Sequence, residues 1–316
     1  MAVWLLPGQG AQEPGMGTGL AALPQVAETF SVASEQLGID VEQLACTGTA
    51  DQVNDAFNAQ ALTMAMSVGL GRALMARGVR PDALVGFSLG QISALALADV
   101  LPLDQAFALL KVRSQAMAQA CAENPGGMLA LLGADVADAE ALAAEQAQGD
   151  VLVAANHNAP GQVVVSGTNA ALDRAQAAWT QAGKRCVRLN TAGAFHSPLM
   201  EPAAQAVAAA CAQLDFAEPS VPLICNTDAR PFTAAEAADR LTRQVKQPVL
   251  FQESIEALLA QGAASFAEVG HGKVLCGLVK RISRKSARAQ VGTVEQLEAF
   301  VAAQAGDAGA TDSKEA

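Results

Sequence analysis

The sequence predicts an α/β fold in which a mostly parallel sheet, covered by helices on both faces, carries an inserted ferredoxin-like module. Two observations lead to this prediction. Short apolar runs alternate with longer apolar helical segments over most of the 316 residues, which is typical of a parallel sheet. In the middle of the chain the order changes to β-α-β-β-α-β, which is the ferredoxin-like pattern.

The first part of the chain opens with a short apolar run that ends in a Pro-Gly-Gln-Gly turn. A long, almost wholly apolar segment follows, and Gly78 behind it is a suitable helix C-cap. The last helix before the module stops at Asn-Pro-Gly-Gly, a strong breaker. The predicted elements are strands at 2–6 and 83–86 and helices at 57–77, 91–98 and 104–123.

The module and the part that follows it are predicted from the same periodicities. The last residues of the chain are small and polar, which is typical of a disordered tail. We predict an α/β-hydrolase-like large subdomain of residues 1–126 and 194–303, a ferredoxin-like subdomain of residues 127–193, and a disordered tail of residues 304–316. The predicted strands are 128–132, 151–155, 162–166, 185–189, 223–225 and 265–269, and the predicted helices are 136–148, 170–182, 198–214, 241–259 (interrupted by Pro248) and 274–284.

Composition excludes several classes of protein. The chain is 51% apolar and 16% charged, as expected of a globular protein. A net charge of −11 argues against nucleic-acid binding. The start of the chain has no basic segment, its apolar run is too short for a signal peptide, and no stretch predicts a membrane span, so we expect a cytoplasmic protein. Six scattered cysteines predict reduced, mostly buried thiols, and with only three dispersed histidines no metal site is predicted.

The sequence Gly86-Phe87-Ser88-Leu89-Gly90 fits the G-x-S-x-G pattern between a predicted strand and a predicted helix. This context predicts a nucleophile elbow, a sharp turn that presents the Ser88 hydroxyl. Flanking glycines allow the backbone segments to approach each other closely. The backbone N–H of Leu89 lies at the helix N-terminus and can stabilise an oxyanion. The alternative is an ordinary strand–helix turn that contains a serine.

A serine nucleophile needs a base, and the chain offers three histidines. His157 follows a strand of the module and is interpreted as a core or surface histidine. His271 lies in a Gly-His-Gly loop and is expected to face solvent. His196 lies where the chain leaves the module, so it can face the elbow across the cleft between subdomains. By elimination and position, His196 is the predicted base.

These residues belong to a set of ordered motifs between about residue 4 and residue 284. The chain resembles the malonyl-CoA:acyl-carrier-protein transacylases of fatty-acid synthesis and the related polyketide-synthase acyltransferase domains. Several ordered motifs are far more specific than one pentapeptide. They are residues 7–12 (PGQGAQ), 58–60 (NAQ), 86–90 (GFSLG), Arg113 with Met117, 156–167 (NHNAPGQVVVSG), 194–200 (AFHSPLM), Gln244 ahead of Pro248-Val249, and 268–270 (EVG).

The resemblance implies a ping-pong reaction in which Ser88 is acylated by malonyl-CoA and deacylated by the phosphopantetheine thiol of an acyl carrier protein. It implies no permanently bound cofactor, because coenzyme A arrives as the thioester substrate and phosphopantetheine is carried by the partner. His196 would move the proton. In the family a backbone or amide carbonyl usually orients the histidine, and here the Gln244 side chain could be the orienting group. Backbone N–H groups of Gln9 and Leu89 would form the oxyanion hole. We expect a monomer that binds neither nucleic acid nor membrane.

The resemblance also assigns the acyl pocket. Arg113 stands at the family's carboxylate-binding position, and a guanidinium can hold the free malonyl carboxylate by two hydrogen bonds. From position alone, an exposed helical arginine is the alternative. Phe195 is the malonyl-type residue and leaves little room for an α-methyl group. Phe87, Met117 and Asn156 complete the expected pocket.

Two residues at the elbow depart from the family pattern, and His271 stands where the family more often has proline. The family usually has histidine before the nucleophile and glutamate after the second glycine of the elbow, whereas this chain has Phe87 and Gln91. Neither departure removes the nucleophile, the base or the carboxylate anchor. We therefore expect activity to survive, with a change in rate or acyl preference.

Three alternatives remain open. A serine hydrolase would need a carboxylate between Ser88 and His196 in the chain, and Asp135, Asp150 and Asp173 lie there, all inside the module. A non-catalytic carrier-binding subunit would not need the serine, the histidine and the arginine together. The same chemistry could also serve a polyketide or malonate-decarboxylase carrier.

For docking of the carrier, the sequence suggests a basic face, with ordinary solvated charges as the alternative. The face comprises Lys184, Arg185, Arg188, Lys280, Arg281, Arg284 and Lys285.

Overall fold

Two five-stranded sheets organise residues 1–312, which are the residues that the computed structural model describes. One sheet is wholly parallel and the other mainly antiparallel, which confirms the predicted α/β fold with a separate second sheet. The strands are β1 (Ala2–Leu6), β2 (Ala83–Gly86), β3 (Gly126–Leu132), β4 (Leu152–Ala159), β5 (Gln162–Thr168), β6 (Arg185–Arg188), β7 (Leu223–Ile224), β8 (Val249–Leu250), β9 (Ser265–Val269) and β10 (Ala287–Val291).

The helices cover both sheets. No helix within the described part of the chain combines the length and apolarity needed to cross a bilayer. The helices are α1 (Pro24–Leu37), α2 (Val41–Thr47), α3 (Ala50–Asn54), α4 (Ala56–Ala76), α5 (Gly90–Leu97), α6 (Leu103–Glu123), α7 (Val136–Ala147), α8 (Asn169–Gln181), α9 (Glu201–Cys211), α10 (Ala237–Gln244), α11 (Phe251–Ala260), α12 (Val274–Ile282) and α13 (Val294–Asp312).

The parallel sheet has the strand order β10-β9-β1-β2-β7. Its central strands are buried on both faces, as parallel strands under helices must be. Trp4 and Leu84, which are paired across β1 and β2, face the core that contains α4, whereas Leu5 and Val85 face α11 and α12. Because all strands run the same way, their carboxyl ends meet at one edge. The loops that follow β1, β2, β7 and β9 therefore gather there.

The second sheet has the order β6-β3-β5-β4-β8, and β3 to β6 form its antiparallel part. Helices α7 and α8 pack on one face of it, which confirms the ferredoxin-like module. The subdomain boundaries at 126 and 194 stay a prediction. Strand β8 comes from the main body of the chain and pairs in parallel with β4, so hydrogen bonds join the module to the rest of the protein.

Strand β8 was not predicted, because residues 241–259 were expected to form one interrupted helix. That expectation is wrong: α10 ends at Gln244, and α11 begins only at Phe251. Pro248 has no N–H to donate and disfavours helical backbone at Gln247, so the chain leaves the helix and adopts an extended conformation. The break brings Gln244 to the end of a helix, where its carbonyl is free to bind a side chain.

Other differences concern the ends of elements. Strand β4 runs to Ala159 and so includes Asn156 and His157, whereas the prediction ended at residue 155. Residues 304–312 of the predicted disordered tail continue helix α13, since alanine favours helix, and residues 313–316 lie outside the described residues. The cysteines are free thiols, and four of the six are buried, as predicted. Besides β8, the unpredicted elements are α1, α2, α3, β10 and α13.

Candidate active site

Ser88 lies on a strained turn between β2 and α5. Its φ of 52° is in the left-handed region, which non-glycine residues rarely adopt. Both glycines of the elbow are required by close contacts. A Cβ on Gly90 would lie 2.0 Å from the Leu6 carbonyl oxygen, and one on Gly86 would lie 2.1 Å from the Gly90 backbone. The predicted nucleophile elbow is therefore present, with the strain placed at the serine itself.

Asn226, which follows β7, holds this turn from the neighbouring strand. Its Oδ1 accepts a hydrogen bond from the Ser88 N–H (2.8 Å), and its Nδ2 donates to the Gly86 carbonyl (2.6 Å). The Asn226 N–H in turn donates to Gln91 Oε1 (3.0 Å). Asn226 was missed by the sequence analysis, although a polar residue directly after a buried strand at the carboxyl edge of the sheet was a usable signal.

Ser88 and His196 are in direct contact, as predicted. The distance between Ser88 Oγ and His196 Nε2 is 2.7 Å, and the histidine is buried. His196 Nδ1 lies 2.9 Å from the backbone carbonyl oxygen of Gln244. Because a carbonyl only accepts, Nδ1 carries the proton and Nε2 is left as the acceptor for the serine hydroxyl.

The prediction that the Gln244 side chain orients His196 is wrong, because the main-chain carbonyl of the same residue does so. The side-chain Nε2 instead donates to the Ser88 carbonyl (2.7 Å), and its Oε1 accepts a hydrogen bond from Arg113 (3.4 Å). Gln244 thus contacts the serine, the histidine and the arginine at once. It fixes their relative positions without touching the serine hydroxyl.

The electrostatics of the pair suit a base. Burial, together with the positive charge of Arg113, lowers the pKa of His196 to about 4. His196 is therefore neutral at pH 7 and can accept a proton from Ser88. A carboxylate is not needed for this. Asp135, Asp150 and Asp173, which a hydrolase triad would require, cap α7 or pair with arginines inside the module.

Arg113, on α6, is buried beside the serine. Its Nη1 donates to Gln60 Oε1 (3.1 Å) and its Nη2 to Ser88 Oγ (3.3 Å). Ser114 Oγ donates to the same Gln60 oxygen (2.9 Å). Burial lowers the pKa of Arg113 to about 10, so the guanidinium is charged at pH 7. The alternative of an exposed helical arginine is thereby excluded.

No Asp or Glu in residues 1–312 forms a salt bridge with Arg113, and its Nε has no hydrogen-bond acceptor. A buried cation without an anion is costly. The arrangement therefore favours binding of an external carboxylate next to Ser88. Gln60 belongs to a motif noticed in the sequence, but its role as the acceptor for Arg113 was not predicted.

The expected oxyanion hole comprises two main-chain amides. Neither Gln9 N–H nor Leu89 N–H donates a hydrogen bond to any group in the described residues. The loop that carries Gln9 packs on the elbow, since a Cβ on Gly8 would lie 2.7 Å from the Phe87 carbonyl oxygen. Leu89 begins the turn into α5, where amides point away from the helix. Their role stays a prediction.

The four predicted pocket residues occupy different surroundings. Phe87 packs edge to face on Phe251, with ring centroids 5.5 Å apart. Met117 is buried on α6, one turn beyond Arg113. Phe195 lies half-buried where the main core meets the second sheet, and Asn156 is buried on β4. Their contribution to acyl choice stays a prediction.

The remaining histidines take no part in this cluster. His157 is a buried histidine, as expected, and its Nδ1 pairs with Glu253 Oε1 at 2.6 Å. His271 was expected to face solvent, but its side chain is only 21% exposed and its Nε2 lies 3.3 Å from Glu13 Oε2. Within residues 1–312, no three His, Cys, Asp or Glu side chains gather as a metal site would require.

Comparisons of the sequence with known proteins all indicate the same family. Residues 3–302 match the acyl transferase domain family. The malonyl CoA-acyl carrier protein transacylase of Salmonella typhimurium is 41% identical over 283 residues, which cover 88% of this chain and 92% of that protein. The transacylase of the same name from Bacillus subtilis is 35% identical over 302 residues, covering 93% and 94%.

Solved structures agree over nearly the whole length. The malonyl-CoA:acyl carrier protein transacylase of Xanthomonas oryzae superposes with a TM-score of 0.91 at 38% identity, covering 96% of this chain and 98% of that one. A malonyl-transacylase in complex with a holo type II PKS acyl-carrier protein gives a TM-score of 0.90 at 35% identity, covering 94% and 97%. The chain therefore belongs to the acyl transferase domain family and, within it, to the malonyl-CoA:acyl carrier protein transacylases.

Proposed function

We propose that the chain transfers a malonyl group from malonyl-CoA to the phosphopantetheine thiol of an acyl carrier protein through a malonyl ester on Ser88. One observation carries the proposal: a buried Arg113 guanidinium, which pairs with no carboxylate in the described part of the chain, lies 3.3 Å from the hydroxyl of a serine that is paired with a neutral histidine. The names of the relatives and their close similarity over the full length support the same reaction.

In the first half-reaction His196 Nε2 takes the proton of Ser88 Oγ while the oxygen attacks the thioester carbonyl. The negative charge on the carbonyl oxygen is stabilised by the N–H groups of Leu89 and Gln9. The carbon–sulfur bond then breaks, and His196 gives its proton to the departing thiolate. Coenzyme A leaves as the free thiol, and malonate remains esterified to Ser88.

In the second half-reaction the carrier's phosphopantetheine thiol occupies the place that coenzyme A left. His196 takes the thiol proton, and the sulfur attacks the ester carbonyl. The ester bond to Ser88 Oγ breaks, and the oxygen recovers the proton from His196. Protons and bonds balance over the cycle, and the neutral state of His196 is restored.

Arg113 selects the acyl group in this scheme. A malonyl carboxylate accepts hydrogen bonds from the guanidinium, whereas an acetyl group leaves the guanidinium without an anion. A hydrogen bond to a charged group contributes about 1.5–3 kcal/mol, and each 1.4 kcal/mol is tenfold in an equilibrium. Two such bonds suffice for a preference of at least about a hundredfold.

The cellular setting is part of the same proposal. The transacylases it resembles come from Salmonella typhimurium and Bacillus subtilis, which supports a bacterial enzyme of fatty-acid synthesis. We propose a cytoplasmic enzyme that acts as a monomer, since one chain supplies the serine, the histidine and the arginine. The second candidate function is the same transfer to a polyketide or malonate-decarboxylase carrier. The similarity to a malonyl-transacylase in complex with a PKS carrier supports the polyketide version.

The test is intact-mass measurement of the protein after exposure to malonyl-CoA, acetyl-CoA or methylmalonyl-CoA. We expect a malonyl adduct that Ser88→Ala abolishes and that holo carrier protein removes with formation of malonyl-carrier. Release of free malonate without transfer would support the hydrolase instead. Absence of any adduct on the wild-type protein would refute covalent catalysis by Ser88.

A further inference from the structure

Arg240, on α10, is a buried cation outside the reacting cluster. Its side chain is 4% exposed, and its Nη2 lies 3.1 Å from Asp228 Oδ2 and 3.0 Å from Glu236 Oε2. Its Nη1 donates to the backbone carbonyl oxygen of Pro231 (2.6 Å). Because desolvation offsets much of the attraction in a buried ion pair, such a pair adds little net stability. The segments of chain that it joins therefore indicate its role.

Two of the three groups that bind the guanidinium, Asp228 and Pro231, belong to the loop of residues 226–231. This loop follows β7 at the carboxyl edge of the parallel sheet, and it begins with Asn226. Asn226 Oδ1 accepts the Ser88 N–H at 2.8 Å and so holds the turn that presents the nucleophile. The guanidinium thus fixes the middle and the end of the loop that supports the serine.

The helix that carries Arg240 also carries Gln244, one turn further on. Both residues are buried on the same side of α10, as positions i and i+4 of a helix are neighbours. The Gln244 carbonyl oxygen lies 2.9 Å from His196 Nδ1, and the Gln244 side chain donates to Asn226 Oδ1 (3.4 Å). The ion pair between Arg240 and Asp228 therefore joins the helix that orients the histidine to the loop that supports the serine.

We propose that Arg240 is a positioning residue for the Ser88–His196 pair. The proposal rests on the proposed function, because it assigns Arg240 a role in the acylation of Ser88. Arg240 acts through Asn226 and Gln244. The serine and the histidine are 108 residues apart in the chain, so their separation and angle depend on how the supporting segments are held together. Since a misplacement of about 1 Å can lower a rate about a hundredfold, a fixed tie between these segments favours the proton transfer.

Alanine substitution of the two carboxylates separates positioning from charge balance. Asp228→Ala and Glu236→Ala each remove one carboxylate from the same guanidinium and leave the other in place, so Arg240 keeps a counter-charge. Glu236 directly precedes α10, so its pair with Arg240 stays within one helical segment and joins no separate parts of the chain. Asp228→Ala is therefore the test variant and Glu236→Ala is its matched control, both in the full-length protein.

Arg240→Met removes both ion pairs and is the stronger variant. Its control is Arg174→Met in the ferredoxin-like module, because Arg174 binds the same kinds of groups, two backbone carbonyls and the carboxylate of Asp150 (2.8 Å). Each variant is mixed with malonyl-CoA or acetyl-CoA at saturating concentration, quenched at successive times and measured by intact mass. The rate constant reports the acylation of Ser88, whereas the final fraction of labelled chains reports how much of the protein is folded.

We expect Asp228→Ala to lower the rate constant of acylation about tenfold or more, by the same factor for both donors, with a final labelled fraction near that of the wild type. Arg240→Met should lower the rate constant further. Glu236→Ala and Arg174→Met should change it by less than about twofold. In a His196→Ala background Asp228→Ala should not lower the residual rate any further, because no pair is left to align.

An unchanged rate constant in Asp228→Ala would overturn the proposal, including one accompanied by a lower labelled fraction. So would an equal loss in Glu236→Ala, or the same loss with and without His196. Failure of the proposed function would appear separately, as wild-type protein whose Ser88 reacts with a fluorophosphonate but not with malonyl-CoA. The rate of phosphonylation in the same variants then tests Arg240, because that reaction also needs the serine activated by its histidine.

Discussion

Gln60 is the residue whose substitution tests most directly how the acyl group is chosen. Its Oε1 accepts hydrogen bonds from Arg113 Nη1 (3.1 Å) and Ser114 Oγ (2.9 Å), and all three side chains are buried. Among residues 1–312 Arg113 has no carboxylate partner, so Gln60 is the main fixed acceptor that aims the guanidinium at Ser88. We predict that Gln60 acts through Arg113 and that its loss weakens malonyl loading selectively.

The expected size follows from the lost contacts. Gln60→Leu keeps the approximate volume and removes a hydrogen bond to a charged group, which contributes about 1.5–3 kcal/mol. If this contribution is realised in the malonyl complex, kcat/KM for malonyl-CoA falls about 10- to 150-fold. The orphaned Arg113 Nη1 and Ser114 Oγ also lower the free energy of unfolding by about 1–3 kcal/mol.

Gln60→Glu separates the electrostatic effect from the structural one. A carboxylate at this position accepts the same two hydrogen bonds and forms an ion pair with Arg113. The protein therefore stays folded, with a free energy of unfolding closer to wild type than that of Gln60→Leu. Malonyl loading still falls, because the positive charge is already neutralised and the new carboxylate repels that of malonate.

The assay is rapid-quench loading of Ser88 from malonyl-CoA and from acetyl-CoA, with urea unfolding of each variant alongside. Acetyl loading should change little in either variant, since acetyl does not contact the guanidinium. Equal losses for malonyl and acetyl in Gln60→Leu would refute the reasoning, because they would place the effect on Ser88 or on the fold.

Three further predictions concern other parts of the site. Because burial lowers the pKa of His196 to about 4, the acid limb of kcat/KM should lie near pH 4, and a limb near 6.5 would contradict this. Between pH 6.5 and about pH 4 the histidine is protonated in the unfolded chain but not in the folded protein, so the free energy of unfolding falls as the pH drops through this range. His196→Ala should flatten this dependence of the free energy of unfolding on pH, which urea titrations measure. Gly90→Ala puts a Cβ 2.0 Å from the Leu6 carbonyl oxygen, and intact-mass measurement should find no adduct on Ser88; normal loading would show that the elbow tolerates a side chain. Phe87→His removes the edge-to-face contact with Phe251 and should lower the free energy of unfolding by about 0.5–1.5 kcal/mol in urea titrations. The wild-type protein and the variant should both form the malonyl adduct on Ser88. An adduct on the variant but not on the wild-type protein would contradict this prediction.

Much of the fold was predictable because the hydrophobic periodicity of each segment ends where turn-forming residues begin. Strands β1, β2 and β9 are short apolar runs between turns, and helices α4 and α6 are long apolar segments with clear ends. Strand β8 was not predictable, because a strand of two residues after a proline is too short to show a hydrophobic periodicity. It exists because β4 offers a free edge beside it, which is a tertiary cause.

The reacting pair was predictable because few residue types can perform its chemistry. One serine in an elbow and three histidines left a narrow choice, and the structure places Ser88 Oγ within 2.7 Å of His196 Nε2. The orienting group was not predictable in the same way. It is the main-chain carbonyl of Gln244, and every residue has a carbonyl, so no residue type marks it.

The two departures from the family pattern at the elbow lie behind the serine, away from its reacting oxygen. Gln91 Oε1 accepts the Asn226 N–H, which a carboxylate oxygen would also do, so the support of the elbow survives the loss of charge. The Phe87 ring packs on Phe251 and lies against Gly8, on the side of the loop that carries the Gln9 amide. A neutral amide and an apolar ring thus replace one charged and one polar residue at the elbow. The low pKa of His196 is set by burial and by Arg113, neither of which the two replacements touch, so the base stays neutral over a wide range of pH.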